Sequence, residues 1–125
     1  MIFTRDMNDG RNIFVFGSNE GGIHAGGAAR EAANHWGAKM GNGVGREGQS
    51  FAIPTMDDDF KPLPLDEIRH YVNDFFNYTR QHMELKFLVT AIGTGICGYA
   101  HEQIAPLFKD APANCVLPDE WKDLV

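Results

Sequence analysis

The chain has 125 residues, 43% of them hydrophobic and 22% charged, which is the balance of one globular domain rather than a disordered segment. Its formal net charge of -6, with no Lys/Arg cluster, excludes a duplex nucleic-acid binder, because such binding rests on cationic side chains neutralising phosphates. The N-terminus MIFTRDMNDGRN lacks the apolar core of a signal peptide, and no run is long enough to span a membrane, so the expected address is cytoplasmic.

Asn8-Asp9-Gly10 reads as a turn. Residues 12–16 (NIFVF) are uninterrupted and apolar, as expected of a strand buried on both faces, and Gly17-Ser18-Asn19 ends the run. Ten of the 14 glycines fall between Gly17 and Gly48. Within that stretch, residues 25–36 carry Ala25, Ala28, Ala29, Ala32 and Trp36 at near-helical spacing, a small-residue face that allows close approach to a sheet. Gly26 and Gly27 each lower helix propensity by about 1 kcal/mol relative to Ala, so the first turn is expected to be shaped by something else. Gly37 suits the C′ position of this helix. Residues 37–49 read as a flexible loop.

Residues 50–53 read as a short strand that stops at Pro54, and residues 55–64 as a loop. The spacing of Leu65, Ile68, Val72, Phe75, Phe76 and Thr79 predicts a helix over 65–83, with Asp66 and Glu67 favourably placed in its first turn. Residues 87–92 form another buried strand. Residues 101–109 form a short helix limited by Pro106, and residues 114–117 a last strand, with Trp121 capping the core. Strands alternating with helices predict an α/β fold, a mainly parallel sheet with helices on both faces in three layers.

Ligands gather at the carboxyl ends of such strands, and two glycine-rich loops fall there. The first contains Gly17, Ser18, Asn19, Gly21, Gly22, Gly26 and Gly27. The second runs Gly93-Thr94-Gly95-Ile96-Cys97-Gly98-Tyr99. Each follows a strand and opens a helix, the arrangement in which backbone N–H groups receive a phosphate. Neither loop spells GxGxxG or a phosphate loop ending in GK[ST].

His24 is a candidate general acid or base, because imidazole is the side chain suited to proton transfer at neutral pH, with Asn19 orienting a water and Glu20 a possible partner. The competing reading of His24 and Glu20 is a pair of polar loop side chains. Arg46 could close over a phosphate, or be free surface charge. Asp57-Asp58-Asp59 could attract Mg²⁺, but consecutive residues rarely converge on one ion, and a solvated loop is simpler. Cys97 could be a nucleophile, although a small buried filler is the simpler reading, and with Cys115 it shows no zinc spacing. Phe75 and Phe76 read as core. His35, His70, His82 and His101 show no ligand spacing either, so neither metal nor cofactor is expected. The sequence carries no sign of oligomeric state.

The element Val15-Phe16-Gly17-Ser18-Asn19 followed by Gly26-Gly27-Ala28-Ala29, with the later Ile92-Gly93-Thr94-Gly95-Ile96-Cys97-Gly98-Tyr99, resembles the macro domains, the α/β modules that bind ADP-ribose. The resemblance spans residues 12 to about 117, with specific agreement over some 20. It implies that Asn19 contacts the distal ribose, that Gly26 and Gly27 line the same loop, and that Gly93, Thr94, Gly95, Ile96 and Gly98 hold the diphosphate beside Tyr99. Hydrolytic members often place an Asp after the first glycine run, where this chain has Ala28 and Ala29. The expected function is therefore binding of a small-molecule nucleotide ligand such as ADP-ribose. The alternatives are a hydrolase of an ADP-ribose phosphate or ester, and an interaction domain that has lost the ligand.

Overall fold

The computed structural model describes residues 10–125, so the turn read at Asn8-Asp9-Gly10 falls largely outside the described residues. Strand β1, Asn12–Asn19, lies at the centre of a five-stranded sheet. Ile13, Phe14, Val15 and Phe16 are all buried, and their side chains divide between two core clusters. Ile13 and Val15 pack with Phe51, Ile53, Phe87 and Val89 in the larger cluster. Phe14 and Phe16 pack with Ala52, Leu88, Ala32 and Trp36 on the opposite face.

Helix α1, Gly27–His35, lies against that second face through Ala32, with Trp36 stacked on Phe14 at 5.1 Å. It is shorter than the expected 25–36, because Gly26 is extended and serves as the cap. Strand β2, Gly45–Glu47, was not expected. It pairs antiparallel with β3, Ser50–Met56, across a two-residue turn in which Gly48 has φ of 58°. The glycine-rich composition of 37–49 concealed this strand.

β3 continues through Pro54, against expectation. Its pairing with β2 ends at Ala52, so the missing proline N–H takes nothing from the ladder on that side. On the other side β3 runs parallel to β1 from Phe14↔Ser50 to Asn19↔Met56, with an irregularity at Ser18/Asn19. β1 therefore extends three residues beyond its expected end, and Gly17-Ser18-Asn19 is strand rather than loop.

Helix α2, Leu65–Arg80, carries buried Ile68, Val72, Phe75, Phe76 and Thr79, the face that the spacing predicts. Strand β4, Lys86–Val89, is parallel to β1 and stops before Thr90, whose N–H and hydroxyl both donate to the Val15 carbonyl. Helix α3, His101–Ile104, tightens into a 3₁₀ turn at Ala105–Phe108, where Pro106 sits. Strand β5, Cys115–Val116, is parallel to β4. Trp121 is fully buried against Phe108, and its indole N–H donates to His101 Nδ1 at 2.9 Å.

The strand order is β2-β3-β1-β4-β5, and only the β2–β3 pair is antiparallel. The described residues thus form an α/β domain with a mixed sheet and three α-helices. No helix among them is long and apolar enough to cross a membrane.

Candidate functional site

The carboxyl ends of β1, β3 and β4 open into a cavity of about 540 Å³. β1 contributes Gly17, Ser18 and Asn19 to its wall, β3 contributes Thr55 and Met56, and the chain after β4 contributes Thr90, Ala91, Ile92 and Gly93. The start of α1 adds Gly26, Gly27, Ala28 and Ala29. The second loop adds Gly95, Ile96 and Cys97. None of the lining residues carries a formal charge. A smaller cavity of about 320 Å³ shares Gly27, Ala28, Thr90 and Ala91 with the first, and Glu31 and Glu120 lie along its wall.

Close backbone approach builds this region. A Cβ on Gly17 would stand 3.3 Å from the Gly93 nitrogen, so glycine lets the end of β1 pass beneath the second loop. A Cβ on Gly43 would fall 2.1 Å from the Asn19 carbonyl oxygen, and one on Gly22 (φ 72°) 2.5 Å from the Gly41 carbonyl carbon. The first loop is therefore clamped against residues 41–43. Ser18 reinforces the clamp by donating its hydroxyl to the Gly43 carbonyl.

Asn19 is buried, and both polar atoms of its amide bond to one residue. Oδ1 accepts from the Ile23 N–H at 3.0 Å, and Nδ2 donates to the Ile23 carbonyl at 2.9 Å. It braces the turn through Gly21 and Gly22, neither of which lines the cavity. Gly26 and Gly27 do line it, and a Cβ at either would meet nothing within 4 Å. Among the described residues, the N–H groups of Gly27, Ala28 and Ala29 have no acceptor, as expected of a first helical turn.

The second loop turns twice. Gly98 donates to the Gly95 carbonyl at 3.0 Å and Tyr99 to the Gly93 carbonyl at 2.9 Å. The N–H groups of Gly95, Ile96 and Cys97 are without acceptors among the described residues, and a Cβ at Gly95 would also stand in open space. Thr94 folds its hydroxyl back onto the Ala91 carbonyl at 2.7 Å. Tyr99 donates its hydroxyl to the Leu63 carbonyl. Thr94, Gly98 and Tyr99 shape the loop from behind rather than lining the cavity.

His24 lies apart from the cavity wall. Its ring meets Phe16 edge-on at 5.3 Å, and Nε2 donates to the Asn42 carbonyl at 3.1 Å. Glu20 accepts from the Tyr71 hydroxyl at 2.6 Å and does not partner His24. Cys97 donates to the Thr55 carbonyl at 3.3 Å, and burial pushes its thiol up, the opposite of what a nucleophile needs. Arg46 is tied to the Tyr78 hydroxyl and the Gly48 carbonyl. The Asp57 carboxylate accepts from the N–H groups of Asp59 and Lys61, which makes the acidic run a turn-former. No group of three metal-ligating side chains occurs among the described residues. Both cysteines are free thiols.

The sequence reading missed Ile23, Thr55, Met56, Phe60 and Thr90 in the wall. The threonines were findable as the polar ends of buried parallel strands. Phe60 was findable as a lone aromatic in the polar stretch DDDFK. No family model, curated protein or solved structure matches this chain.

Proposed function

We propose that the chain binds ADP-ribose or a related phosphate-bearing nucleotide metabolite on a compact three-layer fold similar to a macro domain. One observation carries the reading. Among the described residues, the backbone N–H groups at the start of α1 and in residues 95–97 lack acceptors, and these residues all line one cavity whose lining residues carry no formal charge. Peptide N–H groups at a helix start and in a tight loop are a ready receptor for phosphate oxygens, and the helix dipole adds to the attraction. The cavity is open rather than filled by the protein's own side chains, and its volume suits a ligand of nucleotide size. Two free thiols suit a reducing, cytoplasmic setting.

The test is calorimetric titration with ADP-ribose, AMP and NAD. Micromolar binding of ADP-ribose is expected. A Gly95→Glu variant is expected to abolish it while keeping the native near-ultraviolet circular dichroism, since a Cβ at this position meets nothing within 4 Å. Absence of heat with all three ligands would overturn the reading.

A further inference from the structure

Three exposed apolar side chains share the wall of the larger cavity with the residues whose N–H groups lack acceptors among the described residues. Ile23 is 42% exposed, Phe60 50% and Ile96 94%. Scattered apolar residues on a surface are ordinary, but three converging on one cavity are not.

Phe60 is set there by a built turn. It is the one described non-glycine residue with positive φ, at 62°. That conformation is uncommon for a bulky residue and persists only where neighbours hold it. Here they do. The Asp57 N–H donates to the Lys61 carbonyl at 2.8 Å, the Phe60 N–H to the Asp57 carbonyl at 3.2 Å, and the Asp57 carboxylate receives the Asp59 and Lys61 N–H groups. Met56 and Pro62 close the base of the turn as a bridge. All this bonding presents an aromatic ring at the cavity instead of burying it in the core.

We infer that Phe60, which shares the cavity wall with Ile23 and Ile96, grips a heteroaromatic ring of the ligand, so that the site selects a nucleotide over a free phosphate or sugar phosphate. The inference rests on the phosphate-binding reading and adds a specificity-determining residue to it. Flat rings stack on aromatic faces whatever the pattern of their polar edges, so Phe60 distinguishes ligands with a base from those without, and not one base from another.

The test compares ADP-ribose with inorganic pyrophosphate on the wild type and on Phe60→Ala, Phe60→Gly and Phe60→Trp. Wild type is expected to prefer ADP-ribose. Phe60→Ala should weaken ADP-ribose by roughly 5- to 150-fold, the usual range for losing one base–aromatic stack, and leave pyrophosphate within about twofold. Phe60→Gly, which relaxes the backbone, should behave the same and controls for misfolding. Phe60→Trp should restore binding, with emission quenched by ADP-ribose and not by pyrophosphate. Equal losses for both ligands, or no loss for either, would overturn the inference. Pyrophosphate binding with no gain from the attached base would overturn it while sparing the phosphate cradle. Failure of both ligands on the wild type would overturn the cradle itself and this inference with it.

Discussion

At the scale of single residues, glycines in this chain divide into two kinds that look alike in sequence. Gly43 and Gly22 are glycine because backbone occupies the place of a side chain. Gly26 and Gly95 face open space. Gly43→Ala is accordingly expected to cost about 2–3 kcal/mol or more, seen as a lower thermal midpoint, because the added methyl meets the Asn19 carbonyl with no room to relax. Gly95→Ala is expected to stay within about 0.5 kcal/mol of wild type in the same measurement. The Tyr71–Glu20 pair offers a second test. The hydrogen bond to the Glu20 carboxylate, helped by burial, pushes the Tyr71 hydroxyl from its ordinary 10.0 up to about 12. Folding thus favours the neutral phenol. Its contribution to stability is complete below about pH 10 and is lost as pH rises through about 12. Ultraviolet titration of Glu20→Gln should show one tyrosine moving back towards 10; an unchanged curve would mean that the pair does not form.

At the scale of elements, legibility followed periodicity. α2 was readable because an amphipathic stripe of 16 residues admits one interpretation, and β1 because an unbroken apolar run must be covered on both sides. Phe75, placed in the core by that stripe, sits 5.0 Å from Phe51 and 5.5 Å from Phe87 between ring centroids. Phe75→Ala should therefore cost about 3–5 kcal/mol in urea unfolding. β2 was not readable, because glycine and charge in GREG hide a strand that forms through its pairing with β3. The site was half legible for the same reason. Glycines announced where the chain surrounds a cavity, and nine of the named residues (Gly17, Ser18, Asn19, Gly26, Gly27, Gly93, Gly95, Ile96 and Cys97) line it. The role assigned to His24 depended on the path of residues 40–42 around it, which no local pattern encodes.

At the scale of the whole molecule, the net charge of -6 and the charge-free cavity pull a salt prediction in one direction. Among the described residues no cation lines the cavity whose attraction salt could screen, while the protein's overall field repels an anionic ligand at low ionic strength. Raising salt from roughly 50 to 500 mM should leave ADP-ribose affinity unchanged or slightly tighter, by the screening of that repulsion. A tenfold weakening would instead place a mobile cation over the ligand. The sheet's outline has a consequence of another kind. Among the described residues, its inner strands β1, β3 and β4 run eight, seven and four residues, but its outer strands β2 and β5 run only three and two. A foreign strand has almost no free ladder to copy at either margin. The taper that narrows the sheet also keeps copies of the chain from zipping together side by side, so the protein is guarded against fibril growth by its silhouette rather than by its charge.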